Sequence, residues 1–273
     1  MAILADRVVV NGLPVQFLSV EQIKIDGGQG DDTYRVSGLG AKVTISDGGG
    51  IDLLDFSRAM AGVTMNLAST YGTAQKVFAN NAYTLGLKNT LENVIATPYG
   101  DLIKGNSAAN RIWGGAGNDT IYGSSGDDWL YGEDGNDVLY GDSGNDVLLG
   151  GAGNDQLNAG SGKNLLIGGL GLDTLAGSYS EELLIGGTTS WDANALALAA
   201  IMSEWRSTRT FKQRCDNLEI AGVLAADGTR VFLRRTVEVQ DDATRDVLFG
   251  SSGSDWFLGF LGDDVRDRGT KDR

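Results

Sequence analysis

The stretch GGAGNDTIYGSSGDDWLYGEDGNDVLYGDSGNDVLLGGAGNDQLN, residues 114–158, repeats with a period of nine residues. Each nonapeptide follows the pattern G-G-x-G-x-D-x-U-x, in which U is a large aliphatic residue. The same frame runs without insertion from Ala96 to Ile185, which makes ten consecutive units. A fixed period of this kind indicates a repeat architecture, in which each unit is stabilised by stacking on its neighbours.

Two positions of the unit carry the pattern. Position eight is isoleucine or leucine in all ten units, and position four is glycine from Gly117 to Gly171. Residues seven to nine predict a very short strand whose middle side chain points inward, so position eight is the predicted core. Position six holds Asp101, Asn110, Asp119, Asp128, Asp137, Asp146, Asp155, Asn164, Asp173 and Glu182.

The first six residues of each unit suit a calcium site. Glycine permits a tight turn with positive φ, which leaves backbone carbonyls free to point at one spot. Aspartate adds an anionic oxygen, and calcium takes six to eight oxygen ligands from carboxylates and carbonyls. Two units make one coil of 18 residues, so a calcium ion can sit between turns 18 residues apart. Besides position six, the predicted ligands are the turn glycines Gly114, Gly123, Gly132, Gly141 and Gly150.

The coil period sorts position six into two ladders of unequal quality. The first ladder is all aspartate: Asp101, Asp119, Asp137, Asp155 and Asp173. The second ladder contains Asn110, Asp128, Asp146, Asn164 and Glu182. Because asparagine is a weaker ligand than aspartate, we expect fuller calcium occupancy on the first ladder. Stacked carboxylates repel one another without a counter-ion, so we expect calcium binding and folding to be coupled. The alternative is a metal-free β-solenoid with solvated acidic turns.

Isolated copies of the unit flank the array. Near the N-terminus stand GGQGDDTYR, residues 27–35, and DGGGIDLLD, residues 47–55. Near the C-terminus three units run consecutively over residues 241–267. These copies add Asp32, Asp52, Asp246, Asp255 and Asp264 to the predicted metal ligands.

Composition excludes several classes of function. The net charge of −14 argues against nucleic acid and anionic membranes as partners and favours cations. The chain has no histidine, which excludes Ser-His-Asp, Cys-His and zinc-histidine sites within it. Cys215 is the single cysteine, so no internal disulfide forms, and we expect it in the core. Acidic residues recur at the repeat period, so metal ligation explains them better than catalysis, and we expect no enzyme.

The sequence divides into three predicted regions. Residues 1–95 form an N-terminal β region, in which IKI, TYRV, KVTI and VTMNL read as strands. Residues 96–187 form the roll. Residues 188–273 form a C-terminal cap with one helix over 191–206, N-capped by Ser190, a hairpin around Asp227-Gly228, and the repeat units of 241–267. No apolar stretch approaches 18 residues, so we expect no membrane span. The N-terminus lacks the pattern of a Sec signal peptide.

Position nine points outward, and one of its rows is apolar. This row contains Trp113, Tyr131, Leu149, Ile167 and Ile185. An exposed apolar row is unusual on a solvated sheet. Either the cap helix or the N-terminal segment covers the row, or the row is a surface that binds another subunit or a glycan.

The units GGAGNDTIY, residues 114–122, and GGAGNDQLN, residues 150–158, resemble the RTX, or repeats-in-toxin, calcium-binding family. The resemblance implies an all-β fold, a right-handed parallel β-roll with calcium in its turns. It also implies type I export and folding on contact with extracellular calcium. The stretch from Leu87 to Gly115 is similar to the lead-in before such arrays. Residues 183–264 resemble a C-terminal module of large bacterial calcium-repeat proteins.

Three functions fit these observations. The first is a calcium-dependent structural or folding module of a secreted bacterial protein, located outside the cell or on its surface. The second is a self-assembling surface-layer, filament or matrix protein joined through the apolar faces. The third is an adhesin that binds glycans through its tryptophans and tyrosines when calcium is present.

Overall fold

The computed structural model divides into two compact units, Met1–Asp134 and Gly135–Arg273. It describes residues 2–4, 7–10, 13–16, 22–27, 29–36, 42–46, 48–68, 75–76, 84–88, 91–178, 180–234, 239–240, 242, 245–250, 254–258 and 264–266. The predictions that fall on other residues, such as parts of the unit at 259–267, lie outside the described residues.

The strands of the first unit are short and follow the repeat. They are β1 (Ala2–Leu4), β2 (Arg7–Val10), β3 (Leu13–Gln16), β4 (Gln22–Asp26), β5 (Thr33–Val36), β6 (Lys42–Ser46), β7 (Leu53–Asp55), β8 (Thr64–Asn66), β9 (Gln75–Lys76), β10 (Thr84–Lys88), β11 (Asn93–Ile95), β12 (Leu102–Lys104), β13 (Arg111–Ala116), β14 (Thr120–Tyr122) and β15 (Trp129–Asp134). The four predicted strands near the N-terminus correspond to β4, β5, β6 and β8.

The first unit is a length of parallel β-solenoid. One sheet has the order β15-β13-β11-β7-β5-β1-β2-β3, and it is parallel except for the antiparallel β1-β2-β3 end. A second sheet has the order β14-β12-β8, and a third has the order β4-β6-β10-β9. Within the array Ile112 lies opposite Leu130, which is the predicted 18-residue coil. Further upstream Tyr34 lies opposite Leu54, and Leu54 lies opposite Val94. The N-terminal repeat copies are therefore coils of the same stack, separated by longer turns.

The second unit repeats this plan and adds helices. Its strands are β16 (Val138–Tyr140), β17 (Val147–Ala152), β18 (Gln156–Asn158), β19 (Leu165–Leu170), β20 (Thr174–Ala176), β21 (Leu183–Ile185), β22 (Thr188–Thr189), β23 (Val223–Leu224), β24 (Arg230–Val231), β25 (Val239–Gln240), β26 (Val247–Phe249), β27 (Trp256–Leu258) and β28 (Asp264–Arg266). Its helices are α1 (Ala195–Trp205), α2 (Phe211–Asp216) and a π-helical turn at Asn217–Ala221.

The C-terminal repeat copies continue the solenoid of this unit. One parallel sheet has the order β27-β21-β19-β17, and the other has the order β28-β26-β20-β18-β16. Leu175 lies opposite Leu248 and Leu184 opposite Phe257, so one coil step spans 73 residues, whereas the steps within the array span 18 and the step from β26 to β28 spans 17. We call the extra residues, 188–240, the insert. Its two ends pair antiparallel as β22 and β25, with Thr188 opposite Gln240.

The insert corrects two sequence predictions. Helix α1 begins at Ala195 and its N-cap is Asn194, whose Oδ1 accepts the Ala197 N–H at 3.1 Å, so Ser190 is not the cap. The reason is a turn at 189–192, in which Asp192 accepts the Thr189 N–H at 2.8 Å. The prediction of a single helix was wrong, since α2 follows with its own capping box at Thr210. A six-residue helix is too short to show a periodic pattern.

The predicted hairpin, the buried cysteine and the position-eight core are confirmed by the structure. Strands β23 and β24 form the hairpin, with Gly228 at φ +85° in its turn. Cys215 is buried. The solvent-accessible fraction is 0% for every position-eight side chain, namely Ile103, Ile112, Ile121, Leu130, Leu139, Leu148, Leu157, Leu166, Leu175 and Leu184. No helix in the described part of the chain is long and apolar enough to span a bilayer.

The outer apolar row differs in solvent exposure between the two units. In the first unit Trp113 and Tyr131 remain half exposed. In the second unit Leu149, Ile167 and Ile185 are only 7%, 2% and 0% exposed. Strand β22 of the insert packs against β19, which carries Ile167. The apolar row is therefore covered in the second unit and accessible in the first.

Candidate metal centre

Glycines shape the turns between strands. Positions two and four need positive φ, as at Gly151 (φ +111°) and Gly153 (φ +134°). Three turns adopt this conformation at position two without glycine, at Ser124, Glu133 and Asp142. Such a backbone directs successive carbonyls to one side of the turn, towards the position-six side chain.

At many coil steps, one oxygen of the position-six side chain ties its coil to the coil before. Asp155 Oδ1 accepts the Asp137 N–H at 2.8 Å, and Asp173 Oδ1 accepts the Asp155 N–H at 2.8 Å. The stacking predicted at 18-residue steps is therefore present within each unit. The same bond joins Asp101 to Asp119, Asn110 to Asp128, Asp146 to Asn164, Asp173 to Asp246, Glu182 to Asp255, and Asp32 to Asp52.

The other carboxylate oxygen is the informative one. Oδ2 of Asp155, Oδ2 of Asp173 and Oε2 of Glu182 are buried and accept no hydrogen bond from any residue that the structure describes. The three side chains are at most 1% exposed. A buried acceptor without a donor costs about 1–3 kcal/mol, and more when it is charged. These oxygens therefore need a cation or a proton.

Position-one glycines leave room beside these oxygens. A Cβ added to Gly168 would lie 2.5 Å from Asp173 Oδ2, and one on Gly141 would lie 2.6 Å from Asp146 Oδ2. At Gly114 and Gly150 the same atom would also clash with the carboxylate of its own unit. Carbonyls of the next coil line the same space, those of Gly132 beside Gly114 and of Gly123 beside Gly105. The glycines thus form a cradle in which carboxylate and carbonyl oxygens converge.

Asn164 shows what the cradle requires. Its Oδ1 accepts the Asp146 N–H at 2.8 Å, the role that Oδ1 of aspartate has elsewhere. Its Nδ2, which replaces the second oxygen, donates to the carbonyls of Gly162 at 3.2 Å and Gly160 at 3.5 Å. An aspartate at this position has a second oxygen instead, which cannot donate to such carbonyls. The amide of Asn164 thus supplies locally the positive partner that a bound cation would supply in the aspartate turns.

The pKa values of the buried aspartates also indicate that these turns need a cation. Burial raises the pKa of Asp155 to about 7, and the charge of neighbouring Asp137 adds to the rise. Burial, together with the charges of Asp155, Asp246 and Asp242, raises the pKa of Asp173 to about 8. The protein alone therefore disfavours the carboxylate form, which a bound divalent cation stabilises.

The donor set fits a hard cation. Within the described ranges no three Asp, Glu, His or Cys side chains converge on one point. A site in these turns therefore combines one or two carboxylates with backbone carbonyls, which are the oxygen ligands that calcium prefers. When bound, calcium would neutralise the buried carboxylates and join successive coils.

Two predicted ligands differ from the rest. Both oxygens of Asp101 have donors, since Oδ1 accepts the Val63 N–H at 2.5 Å and Oδ2 accepts the Thr97 N–H at 2.7 Å. Thr97 stands at position two, which is glycine in four of the other nine units. The prediction of Asp264 at position six was wrong, because β28 pairs one residue out of the expected register and Asp264 lies opposite Val247, a position-seven residue.

Sequence reasoning missed three features of the turns. A second ladder runs through position five, where Asn136, Asn145 and Asn154 accept backbone N–H groups of the next coil at 2.7–3.0 Å. The recurrence of Asn and Asp at position five was its visible signal. Glu92 extends the position-six ladder upstream by accepting the Asp52 N–H at 2.9 Å. Gly186 belongs to the turn of Asp246, because its Cβ would lie 2.5 Å from Asp246 Oδ2.

This fold and these turns define a parallel β-solenoid of the β-roll type, with oxygen-lined sites between its coils. The family model of the RTX calcium-binding nonapeptide repeat matches residues 95–130, 104–139, 117–148, 140–175 and 242–265. The chain thus carries RTX repeats, which bind calcium ions. Proteins with these repeats are generally extracellular and structural rather than enzymatic. A search of the curated proteins finds no match to the chain.

Proposed function

We propose that this chain is a calcium-dependent folding module of a secreted bacterial protein, which orders when it meets extracellular calcium. In this proposal the calcium ions act as structural ligands that join successive coils, and the chain has no catalytic role. Type I export, which the RTX repeats suggest, belongs to the same proposal.

The buried carboxylate oxygens carry the proposal. Asp155 and Asp173 lie in the stack with one oxygen bonded and the other facing a glycine cradle. Without a cation these oxygens destabilise the stacked state, because burial and neighbouring carboxylates oppose their ionisation. Calcium removes that penalty only in the folded state, so binding and folding are linked.

The ladders differ in the number of ions that they hold. We place the strongest sites at the cradles of Asp119, Asp155 and Asp173, on the first ladder. Asn164 fills its own cradle with an amide, and Asp101 has protein donors on both oxygens. The second ladder is therefore interrupted, and the first ladder begins after Asp101.

A calcium titration followed by far-UV circular dichroism tests the proposal. The chelated wild type is expected to lack most of the β signal and to gain it cooperatively as calcium is added. The double variant Asp155→Ala/Asp173→Ala removes both carboxylates without supplying an amide donor, and it is expected to need at least about tenfold more calcium for the same signal. Asp134→Ala, at an exposed acidic residue away from position six, serves as the matched control. A full β signal in chelator would overturn the proposal.

A second candidate function rests on the outer face of the first unit. Trp113 and Tyr131 stack with ring centres 5.4 Å apart, and the Arg111 guanidinium lies 4.7 Å from the Trp129 ring centre. Half-exposed stacked rings suit the apolar faces of sugars, which favours glycan binding. Glycan-array binding that Tyr131→Ala abolishes and Tyr122→Ala, in the other sheet of the same unit, preserves would support this function.

Self-assembly through the apolar row has less support. Leu149, Ile167 and Ile185 were its expected contacts, and all three are buried within the second unit. Size-exclusion chromatography with and without calcium separates the alternatives. We expect a compact monomer in calcium, whereas large calcium-dependent assemblies would favour the filament function.

A further inference from the structure

The insert leaves the solenoid from inside a metal turn. Gly186 takes position one of this turn and Asp246 takes position six, because an added Cβ on Gly186 would lie 2.5 Å from Asp246 Oδ2, as one on Gly168 would lie 2.5 Å from Asp173 Oδ2. Asp246 Oδ1 accepts the Asp173 N–H at 2.9 Å, which stacks the turn on the coil before. Other turns connect these two positions through four residues, whereas this turn closes across the whole insert. Any cation held at Asp246 therefore bridges the two ends of the insert.

The insert also docks beside the second ladder through an ion pair whose arginine is buried and whose glutamate is partly exposed. The Arg214 side chain is 3% exposed, and its guanidinium binds Glu181 Oε2 at 2.6 Å. The same guanidinium lies 5.2 Å from the Trp205 ring centre, which places the arginine between α1 and the solenoid. Lys163 binds the same carboxylate at 2.9 Å, so Glu181 is held from the solenoid side as well.

Trp205 of α1 spans the last step of that ladder. Its Nε1 donates to the Glu181 carbonyl at 3.2 Å, and its ring stacks on Trp256 at 6.3 Å. Glu181 and Trp256 directly adjoin Glu182 and Asp255 in the sequence. These two acidic residues form the coil step itself, since Asp255 Oδ1 accepts the Glu182 N–H at 3.0 Å.

The Glu182 step has the properties of a cation site. Glu182 is fully buried, and its Oε2 accepts no hydrogen bond from the described residues. A Cβ on Gly177 would lie 3.1 Å from Oε2, so the cradle is present and slightly wider than those of the aspartate turns. The longer side chain of Glu182 thus places its carboxylate beside Gly177, as aspartate does beside the position-one glycine of the other turns.

These contacts depend on one another. A buried guanidinium is stabilised only when its carboxylate partner is held in place, because a displaced partner leaves an uncompensated charge. Glu181 and Trp256 are held in place only when the coils of Glu182 and Asp255 stack. The carboxyl groups of Glu182 and Asp255 both belong to this coil step, and the step stacks most favourably when a cation lies between them.

We propose that the insert is a calcium-responsive element, whose docking onto the solenoid is coupled to cation binding at the Glu182–Asp255 and Asp173–Asp246 steps. This inference rests on the proposed calcium-dependent folding of the repeats. Calcium at the last two steps stabilises the docked insert, and the docked insert raises calcium affinity there by the same factor, as linkage requires.

Hydrogen exchange of the full chain, followed by mass spectrometry during a calcium titration, tests the coupling. In the wild type, amides of α1 and α2 are expected to gain protection at the same calcium concentration as those of β26 and β27. Glu182→Ala keeps Glu181 and Arg214 but removes the carboxylate from the cation site without supplying an amide donor in its place. It is expected to shift the midpoint for α1 roughly fivefold or more to higher calcium, within the usual range of such couplings. Protection of β16 and β18 is expected to change little.

Two further variants complete the test. Arg214→Ala should lower the protection of α1 and raise the calcium midpoint of β27, whereas Arg214→Lys, which keeps the charge, should restore part of both. Asp137→Asn, at the far end of the first ladder in this unit, is the matched control and should leave α1 coupled to β27. If the insert is equally protected in chelator and in calcium while the repeats respond to calcium, the proposed coupling is wrong but the proposed function stands. No calcium response in any segment would overturn the proposed function as well.

Discussion

At the scale of single residues, position six decides between a cation and an amide. Asp155 and Asn164 occupy equivalent places in their turns, and each bonds the preceding coil through Oδ1. They differ in one atom, which is an acceptor in Asp155 and a donor in Asn164. Under the proposed function, the turn of Asp155 binds an ion, whereas the turn of Asn164 replaces the ion with two hydrogen bonds.

A reciprocal exchange of these residues should change the number of bound ions. Asn164→Asp removes the amide donor and is expected to add about one calcium ion per chain, while costing the metal-free state about 1–3 kcal/mol. Asp155→Asn is expected to lose about one ion. Calorimetric titration gives both stoichiometries, and an unchanged count in both variants would contradict the assignment.

A methyl group at position one should block the cradle. Gly168→Ala places its Cβ 2.5 Å from Asp173 Oδ2 and also against the Gly186 carbonyl. We expect a loss of about 1–3 kcal/mol in calcium, as for overpacked cores, together with weaker calcium binding. Gly177→Ala, where the nearest atoms are 3.1 Å away, is the control and should cost less. Equal unfolding free energies in urea would refute the steric account.

Backbone strain at position two should be removable. Glu133 has φ +75°, a conformation that costs most L-residues about 1–2 kcal/mol. Glu133→Gly should therefore be more stable than Glu133→Ala by about 1 kcal/mol, the reverse of the usual order. Because both variants lose the carboxylate, their difference isolates the backbone. Thermal unfolding in saturating calcium measures it, and a more stable alanine variant would show that the turn tolerates a side chain.

At the scale of elements, regularity separates what the sequence predicts from what it does not. Every position-eight residue is buried because one period places all of them between the two sheets. The strands of IKI, TYRV and KVTI were predictable for a similar reason, their alternation. Helix α1 was located but extended too far, because apolar content alone does not reveal the Thr189–Asp192 turn that competes for its first residues.

The stacking of the candidate ligands could be predicted from the sequence, but the ends of the ladders could not. The register alone brings Asp137, Asp155 and Asp173 into one ladder. It does not reveal that Thr97 supplies donors to Asp101, since that requires the turn's own geometry. The sequence also did not predict that Gly186 and Asp246 belong to one turn, because a long insertion separates them and interrupts the nine-residue spacing that defines a unit.

The cap of α1 offers a direct test at this scale. Asn194→Ala removes the acceptor of the Ala197 N–H and should cost about 1 kcal/mol of stability. Ser190→Ala, at the cap that the sequence suggested, should change the unfolding free energy by less than about 0.5 kcal/mol. Urea unfolding of both variants in calcium decides which residue caps the helix.

At the scale of the whole molecule, the net charge of −14 and the carbonyl-rich turns together favour calcium over other cations. Magnesium demands near-octahedral geometry and releases its water reluctantly, so it fits poorly between backbone carbonyls. We expect magnesium at about a hundredfold higher concentration to restore little of the circular dichroism signal that calcium induces. Full recovery in magnesium would show that charge neutralisation alone is sufficient.

The insert changes the order in which the chain can assemble. Most coils pair residues only 18 apart, which are local contacts, whereas β26 and β27 must find partners 73 residues away. Closing a longer loop costs more chain entropy and slows folding. The β22–β25 pair shortens that search once the insert has folded, because it brings the two ends of the loop together. The last coils are therefore the slow step of folding, and the insert sets their rate.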